Sequence, residues 1–247
     1  MDKVNITIVS GFLSNINNIE YRNLEKYVEY GKKLINIKLP KVIFIDKQIY
    51  QQYFLNISDE LTKFIQIEKK DLYFYEYMDK LTDFKLNTDN PNKDTVEYMF
   101  VQNHKTEWIK QAIHFDFFKT SQYIWIDFGI YHLIKQDELF EKCIYNLRYK
   151  TYNSVRIPGC WNPYNIKNTN IFQNISWYFA GSIFGGHKDK LLEFADLTKE
   201  KCIFLINNSK HIMWEVNVWY LVFLDLKDKQ MLNWYPTDHN PSMLLEY

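Results

Sequence analysis

Tyr123-Ile124-Trp125-Ile126-Asp127-Phe128-Gly129 sets a carboxylate at the end of a run of strand-forming residues. Strands of this composition are buried in α/β cores, and their carboxyl ends open onto the crevice where ligands bind. An Asp held there by a rigid sheet can meet a metal ion or a sugar hydroxyl. The same residues also read as a strand followed by an Asp-Xaa-Gly turn. Of seven glycines, Gly181, Gly185 and Gly186 fall within six residues. Glycine lets a ligand approach the backbone. Gly185-Gly186, ahead of an expected helix, would offer free N–H groups to an anion or a hydroxyl. A tight strand-to-helix turn explains them equally well. Glu215 opens a further expected helix among apolar neighbours, which suits a base or an acceptor for a sugar hydroxyl. A first-turn Glu is also a common partner of the helix dipole. His239 lies in a polar turn after a strand, where a structural role competes with a ligand role.

Other chemistries lack their signatures. The six histidines (His104, His114, His132, His187, His211 and His239) show no HExxH spacing. There is no GxGxxG, no Walker motif and no GxSxG, which disfavours dinucleotide enzymes, P-loop NTPases and α/β-hydrolases.

The elements that must position these residues follow a β-α-β order, which predicts a mostly parallel sheet. Residues 4–9 read as a first strand stopped by Ser10-Gly11. Residues 18–35 read as a helix, weakened by Gly31. Residues 42–46 form a second strand that again ends in an Asp, and residues 62–67 a third. Residues 71–84 look helical. Residues 95–118 hold one or two helices, ahead of the strand at Tyr123. Residues 136–149 are expected to be helical, and Arg156-Ile157-Pro158-Gly159 to leave that helix. The Asn-rich stretch 162–174 reads as a long loop, a common place for a lid or binding loop. Helices at 187–205 and 213–224, a strand at 230–235 and a polar turn at 236–241 complete the chain.

Length and composition fit one sizeable α/β domain spanning residues 1–247, with no linker and no internal repeat. Hydrophobic residues make up 47% and aromatics 18%, which excludes a disordered chain. An A/T-rich coding genome accounts for most of the excess of Lys, Asn, Ile and Tyr, although Tyr and Trp also stack on bases and sugars. Thirty basic and thirty acidic residues cancel, so no basic face for nucleic acid is expected. Cys143, Cys160 and Cys202 form neither a CxxC metal pattern nor a disulfide framework, consistent with a reducing compartment. The first apolar stretch is too short for a signal peptide, and no run of about 18 apolar residues could span a membrane. A cytoplasmic location is expected, the host cytoplasm should the source be viral.

In their order, these pieces resemble the bacterial HtrL/YibB family of glycosyltransferase-like proteins over most of the chain. The resemblance rests on residues 27–46 (YVEYGKKLINIKLPKVIFID), Asn103-His104-Lys105 with the following helix, 123–132 (YIWIDFGIYH), 177–186 (WYFAGSIFGG), and Glu215 with the turn at His239. More distantly the chain is similar to glycosyltransferases of the GT-A fold. The resemblance implies a single GT-A-like α/β domain with a mixed, mostly parallel sheet flanked by helices. Its nucleotide-binding part would cover about residues 1–132 and its acceptor and sugar part about 133–247. It implies transfer from a UDP- or GDP-sugar to a hydroxyl of a glycan, a protein or a small molecule, assisted by Mn2+ or Mg2+. Asp127 would take the first acidic position of the Asp-Xaa-Asp motif as catalytic and metal-binding residue, whereas Gly129 occupies the second. His239 would be a second metal ligand. Ser10, Gly11 and Phe12 would cradle the nucleotide, with Lys105 and Arg156 offsetting phosphate charge. Gly181, Gly185 and Gly186 would bound the sugar, and Glu215 would act on the acceptor hydroxyl or hold the donor. Two other readings remain open. The missing carboxylate suits an inactive nucleotide- or carbohydrate-binding module on the same fold. An aromatic-rich structural or host-interaction protein would scatter Asp127, Gly185, Glu215 and His239 instead of gathering them in one pocket.

Overall fold

Runs of β-branched and aromatic residues form one seven-stranded sheet in a computed structural model, which describes residues 4–16, 23–57, 59–134 and 136–247. The strands are β1 (Ile6–Phe12), β2 (Lys41–Asp46), β3 (Thr62–Ile67), β4 (Gln122–Ile126), β5 (Val155–Gly159), β6 (Ile183–His187) and β7 (Leu232–Pro236). Their order is β3-β2-β1-β4-β6-β5-β7. Six strands run in one direction and β6 is reversed between β4 and β5. The sheet is continuous across residue 132, where the nucleotide and acceptor parts were expected to divide. The fold is α/β, with a mixed sheet covered by helices on both faces.

The helices are α1 (Leu24–Asn36), the short α2 (Lys47–Ile49), α3 (Val96–Phe115), α4 (Asp137–Asn146), α5 (Lys188–Ser209), α6 (Glu215–Asp225) and the terminal α7 (Ser242–Leu245). Side-chain caps fix their starts. Asn23 accepts from the N–H groups of Glu25 and Lys26 at α1, and Thr95 accepts from Tyr98 N at α3. Helices α3, α5 and α6 pack on the face carrying Val9, Val42, Phe44, Tyr123 and Trp125. There Phe44, Trp108, Trp125 and Phe184 form a row of stacked rings. Helices α1, α4 and α7 cover Ile6, Ile8, Ile124 and Ile126 on the opposite face. Among the described residues no helix is long and apolar enough to cross a membrane.

Several local expectations change. β1 runs through Ser10 and Gly11 to Phe12, because both are paired with β2. Helix α1 is unbroken through Gly31 and begins at Leu24; the expected residues 18–22 lie outside the described ones. Residues 69–71 and 73–81 are 3₁₀ turns. Residues 156–159 belong to β5. Gly185 and Gly186 lie inside β6, so they offer no helix-start N–H groups; α5 follows His187, which is its N-cap.

Candidate functional site

Six strands present their carboxyl ends, and β6 its amino end, along one edge of the sheet. From β1 the chain crosses through α1 to β2 on one side, whereas β4 leads to the strands on the other. The crevice between the ends of β1 and β4 is therefore a topological switch point, where open α/β sheets bind ligands. A cavity of about 340 Å³ opens there, lined by Gly11 and Phe12 from β1 and by Asp127, Gly129 and His132 beyond β4. Lys105 of α3, Gly181, Glu215 and His239 complete its wall.

Lys105 organises the centre. Its Nζ lies 3.0 Å from Asp127 Oδ1, 3.1 Å from Glu215 Oε1 and 3.1 Å from the carbonyl of Gly181. The ammonium donates hydrogen bonds to Glu215 Oε1 and to the Gly181 carbonyl, and Asp127 is its ion-pair partner. Burial disfavours this cation, but Asp127 and then Glu215 outweigh it, so its pKa stands above the usual lysine value. Asp127 Oδ1 also accepts from Trp125 Nε1 at 2.7 Å, which fixes the carboxylate to the strand that carries it. Asp127 Oδ2 and Glu215 Oε2 take no hydrogen bond from the described residues.

Two glycines are required by close approach. A Cβ on Gly181 would overlap Glu215 Oε1, so only glycine lets the carboxylate reach Lys105 here. A Cβ on Gly129 would stand 2.5 Å from Cε1 of Tyr27. The second acidic position of an Asp-Xaa-Asp motif is thus filled by an aromatic ring from α1. Tyr27 stacks on Phe12 at 6.0 Å and faces His132 at 6.4 Å, giving the β1 side of the cavity an aromatic wall. His132 is held in turn by a 2.6 Å contact from Nδ1 to Gly129 O.

On the far side, His239 rests against Trp177 with ring centroids 4.9 Å apart. Desolvation lowers its imidazole pKa, with Asp127 pulling the other way, so it is mostly neutral at pH 7. Helix α6 is tied down around Glu215. Asn103 donates to Met213 O at 2.8 Å, and Trp214 Nε1 reaches Asp94 at 3.4 Å.

The structure therefore gathers Gly11, Phe12, Lys105, Asp127, Gly181, Glu215 and His239 around one cavity. Four expected residues lie elsewhere. Ser10 is fully buried and falls, by strand alternation, on the α1 side of β1 with Ile6 and Ile8. Gly185 and Gly186 pair with Ile124 and Tyr123, beyond the end of β6 that meets the cavity, because that strand is reversed. Arg156 holds Asn233 Oδ1 and the carbonyl of Glu246 and packs over Tyr235. Tyr27, Trp125 and Trp177 were not singled out from the sequence. Trp125 could have been found, since a side chain two positions before Asp127 shares its face of the strand.

No curated protein matches the chain. Among solved structures, it is similar to the crystal structure of 4-diphosphocytidyl-2C-methyl-D-erythritol synthase from Anaerococcus prevotii DSM 20548. That likeness has a TM-score of 0.42 and 10% identity, covering 96% of this chain and 89% of that one. Likeness at this level says nothing about chemistry. The family model described as a bacterial protein of unknown function, HtrL_YibB, matches residues 4–223. The chain belongs to the HtrL/YibB family.

Proposed function

We propose that the protein is a glycosyltransferase that moves a sugar from a nucleoside-diphosphate sugar to a hydroxyl acceptor. The observation that carries this reading is the Asp127–Lys105–Glu215 cluster at the β1/β4 switch point, in a cavity with aromatic walls. In the transfer, the bond between the anomeric carbon and the phosphate oxygen breaks with its electron pair going to the nucleoside diphosphate. The acceptor oxygen bonds to that carbon, and its proton passes to Glu215 Oε2. The wall of Phe12 and Tyr27 suits a nucleobase, since aromatic faces stack on flat rings.

A divalent cation fits this site only with help from the substrate. Asp127 Oδ1 is already committed to Trp125 and Lys105, which leaves Oδ2 and the His239 imidazole as protein ligands. Among the described residues no three His, Cys, Asp or Glu side chains gather as a metal site. Diphosphate oxygens and water would have to complete the shell; Mn2+ accepts such an oxygen-plus-imidazole set, and Mg2+ an oxygen-rich one. When bound, the cation would offset charge on the leaving diphosphate.

The engagement of both carboxylates with Lys105 also favours a second reading, a binding module on the same fold that turns nothing over. Calorimetry with UDP- and GDP-sugars plus Mn2+, followed by an assay for released nucleoside diphosphate, separates the two. Transferase action predicts binding and slow donor hydrolysis, both reduced at least about tenfold in Asp127→Asn, as expected for loss of a charged contact. Binding with no hydrolysis supports the module. Absence of any nucleotide-sugar binding overturns the transferase reading.

A further inference from the structure

We infer that the β5 side of the cavity is a saccharide subsite with Trp177 as its platform, so that the acceptor is a glycan. This rests on the transferase reading for its chemistry, but its geometry is independent. Phe12 ends β1, Asp127 follows β4, and Trp177 is bound to the residues after β5, whose Cys160 and Trp161 N–H groups both donate to its carbonyl at 2.9 Å. β1 and β5 are three strand spacings apart, roughly 14 Å. The cavity thus has one aromatic surface on each side of the carboxylates, room for two ring ligands with the charged cluster between them.

The chemistry around Trp177 selects a sugar for its side. Trp177 is partly buried and lines the cavity together with Ile175, Ser182, Glu215 and His239. A pyranose presents apolar C–H groups on its face and hydroxyls around its rim. An indole face takes the former. Glu215 Oε2 and Asp127 Oδ2, which take no hydrogen bond from the described residues, can accept from the latter.

The platform is also held in advance. Asn217 is fully buried on α6, two positions after Glu215, and uses its whole side-chain amide on the loop that carries Trp177. Its Oδ1 accepts from Ser176 N at 2.8 Å, and its Nδ2 donates to Ile171 O at 2.7 Å and Asn174 O at 2.8 Å. One helix therefore positions both Glu215 and the ring platform. A surface ordered before binding spares the ligand the cost of ordering it. Asn217 acts through Trp177 and is a positioning residue.

The test uses the full chain, fluorescently labelled, on a printed array of oligosaccharides and Ser/Thr peptides with UDP or GDP and Mn2+ present, alongside calorimetry with the nucleotides. Expected are oligosaccharide binding without peptide binding and a loss of at least about tenfold in Trp177→Ala, the scale of one stacked ring. Trp177→Phe should retain most of the binding. Asn217→Ala should weaken it while nucleotide affinity stays within about twofold. Saccharide binding that survives Trp177→Ala overturns the inference, as does binding only to peptides. Nucleotide binding with no oligosaccharide bound overturns it while sparing the transferase reading. Saccharide binding through Trp177 by a chain that binds no nucleotide supports the subsite and removes the transferase.

Discussion

Lys105 is a strut between two acids. Hydrogen bonds to Gly181 O and Glu215 Oε1 and an ion pair with Asp127, all at 3.0–3.1 Å, tie its ammonium to the protein. It also joins α3, the end of β4 and the start of α6 through one atom. Lys105→Met should leave two carboxylates beside an apolar chain and destabilise the fold by about 3–5 kcal/mol, the usual cost of breaking a buried pair. Guanidinium denaturation measures this. Adding Asp127→Asn and Glu215→Gln to the Met variant should restore part of the loss; no recovery would show that packing and not charge was at stake. The sequence showed Asp127 and Glu215 because one follows the end of β4 and the other opens α6, whereas Lys105 lies mid-way along α3 and stood out only through the family resemblance. It hid their pairing, because Lys105 and Glu215 are 110 positions apart and meet only through the packing of α3 on α6.

At the scale of elements, the long apolar runs were the legible ones. β3 falls on the expected residues, and β2 differs only by starting at Lys41. β5 was hidden by Pro158-Gly159, which reads as a turn. The sheet tolerates Pro158 because β6 pairs only with Val155 and Arg156, so no ladder partner on that side needs its missing N–H. Lys41 shows how an element junction can be charged and still buried. Its Nζ donates to Ile37 O at 2.6 Å and Leu39 O at 2.8 Å, closing the end of α1 onto the start of β2. Burial pushes its pKa from 10.5 down to about 8, with Asp59 opposing. Between those values the unfolded chain binds a proton that the native state does not. Stability from this group should therefore rise with pH across that window, by up to about 3 kcal/mol. Thermal melts between pH 8 and 10.5 should show the rise in the wild type and a flatter profile in Lys41→Met. Equal slopes would remove Lys41 as the cause.

For the molecule as a whole, composition and strand order were enough to expect an α/β sheet, and the structure has one. The reversal of β6 was not visible, since a five-residue apolar strand carries no mark of direction, and that reversal is what carries Gly185 and Gly186 away from the cavity. The three cysteines remain free thiols at different depths: Cys143 and Cys160 are partly exposed and Cys202 is buried. Burial holds the Cys202 thiol far above its usual pKa, and its Sγ donates to Asn103 Oδ1 at 3.3 Å. A thiol-reactive dye should label Cys143 and Cys160 in the native protein and Cys202 only on global unfolding, so the slow phase should vanish in Cys202→Ala. Rapid labelling of all three would mean that α5 opens locally.

The contact between Gly129 and Tyr27 bears on how such a site can change over generations. An acidic residue at 129 and a tyrosine at 27 compete for the same space. Passage between a one-acid and a two-acid motif therefore takes two substitutions, and either order goes through a chain with a clash or a hole. Selection would see those intermediates first as poorly folded proteins. Lineages on the two sides of that step should differ at both positions together, and a change at 129 alone should be rare.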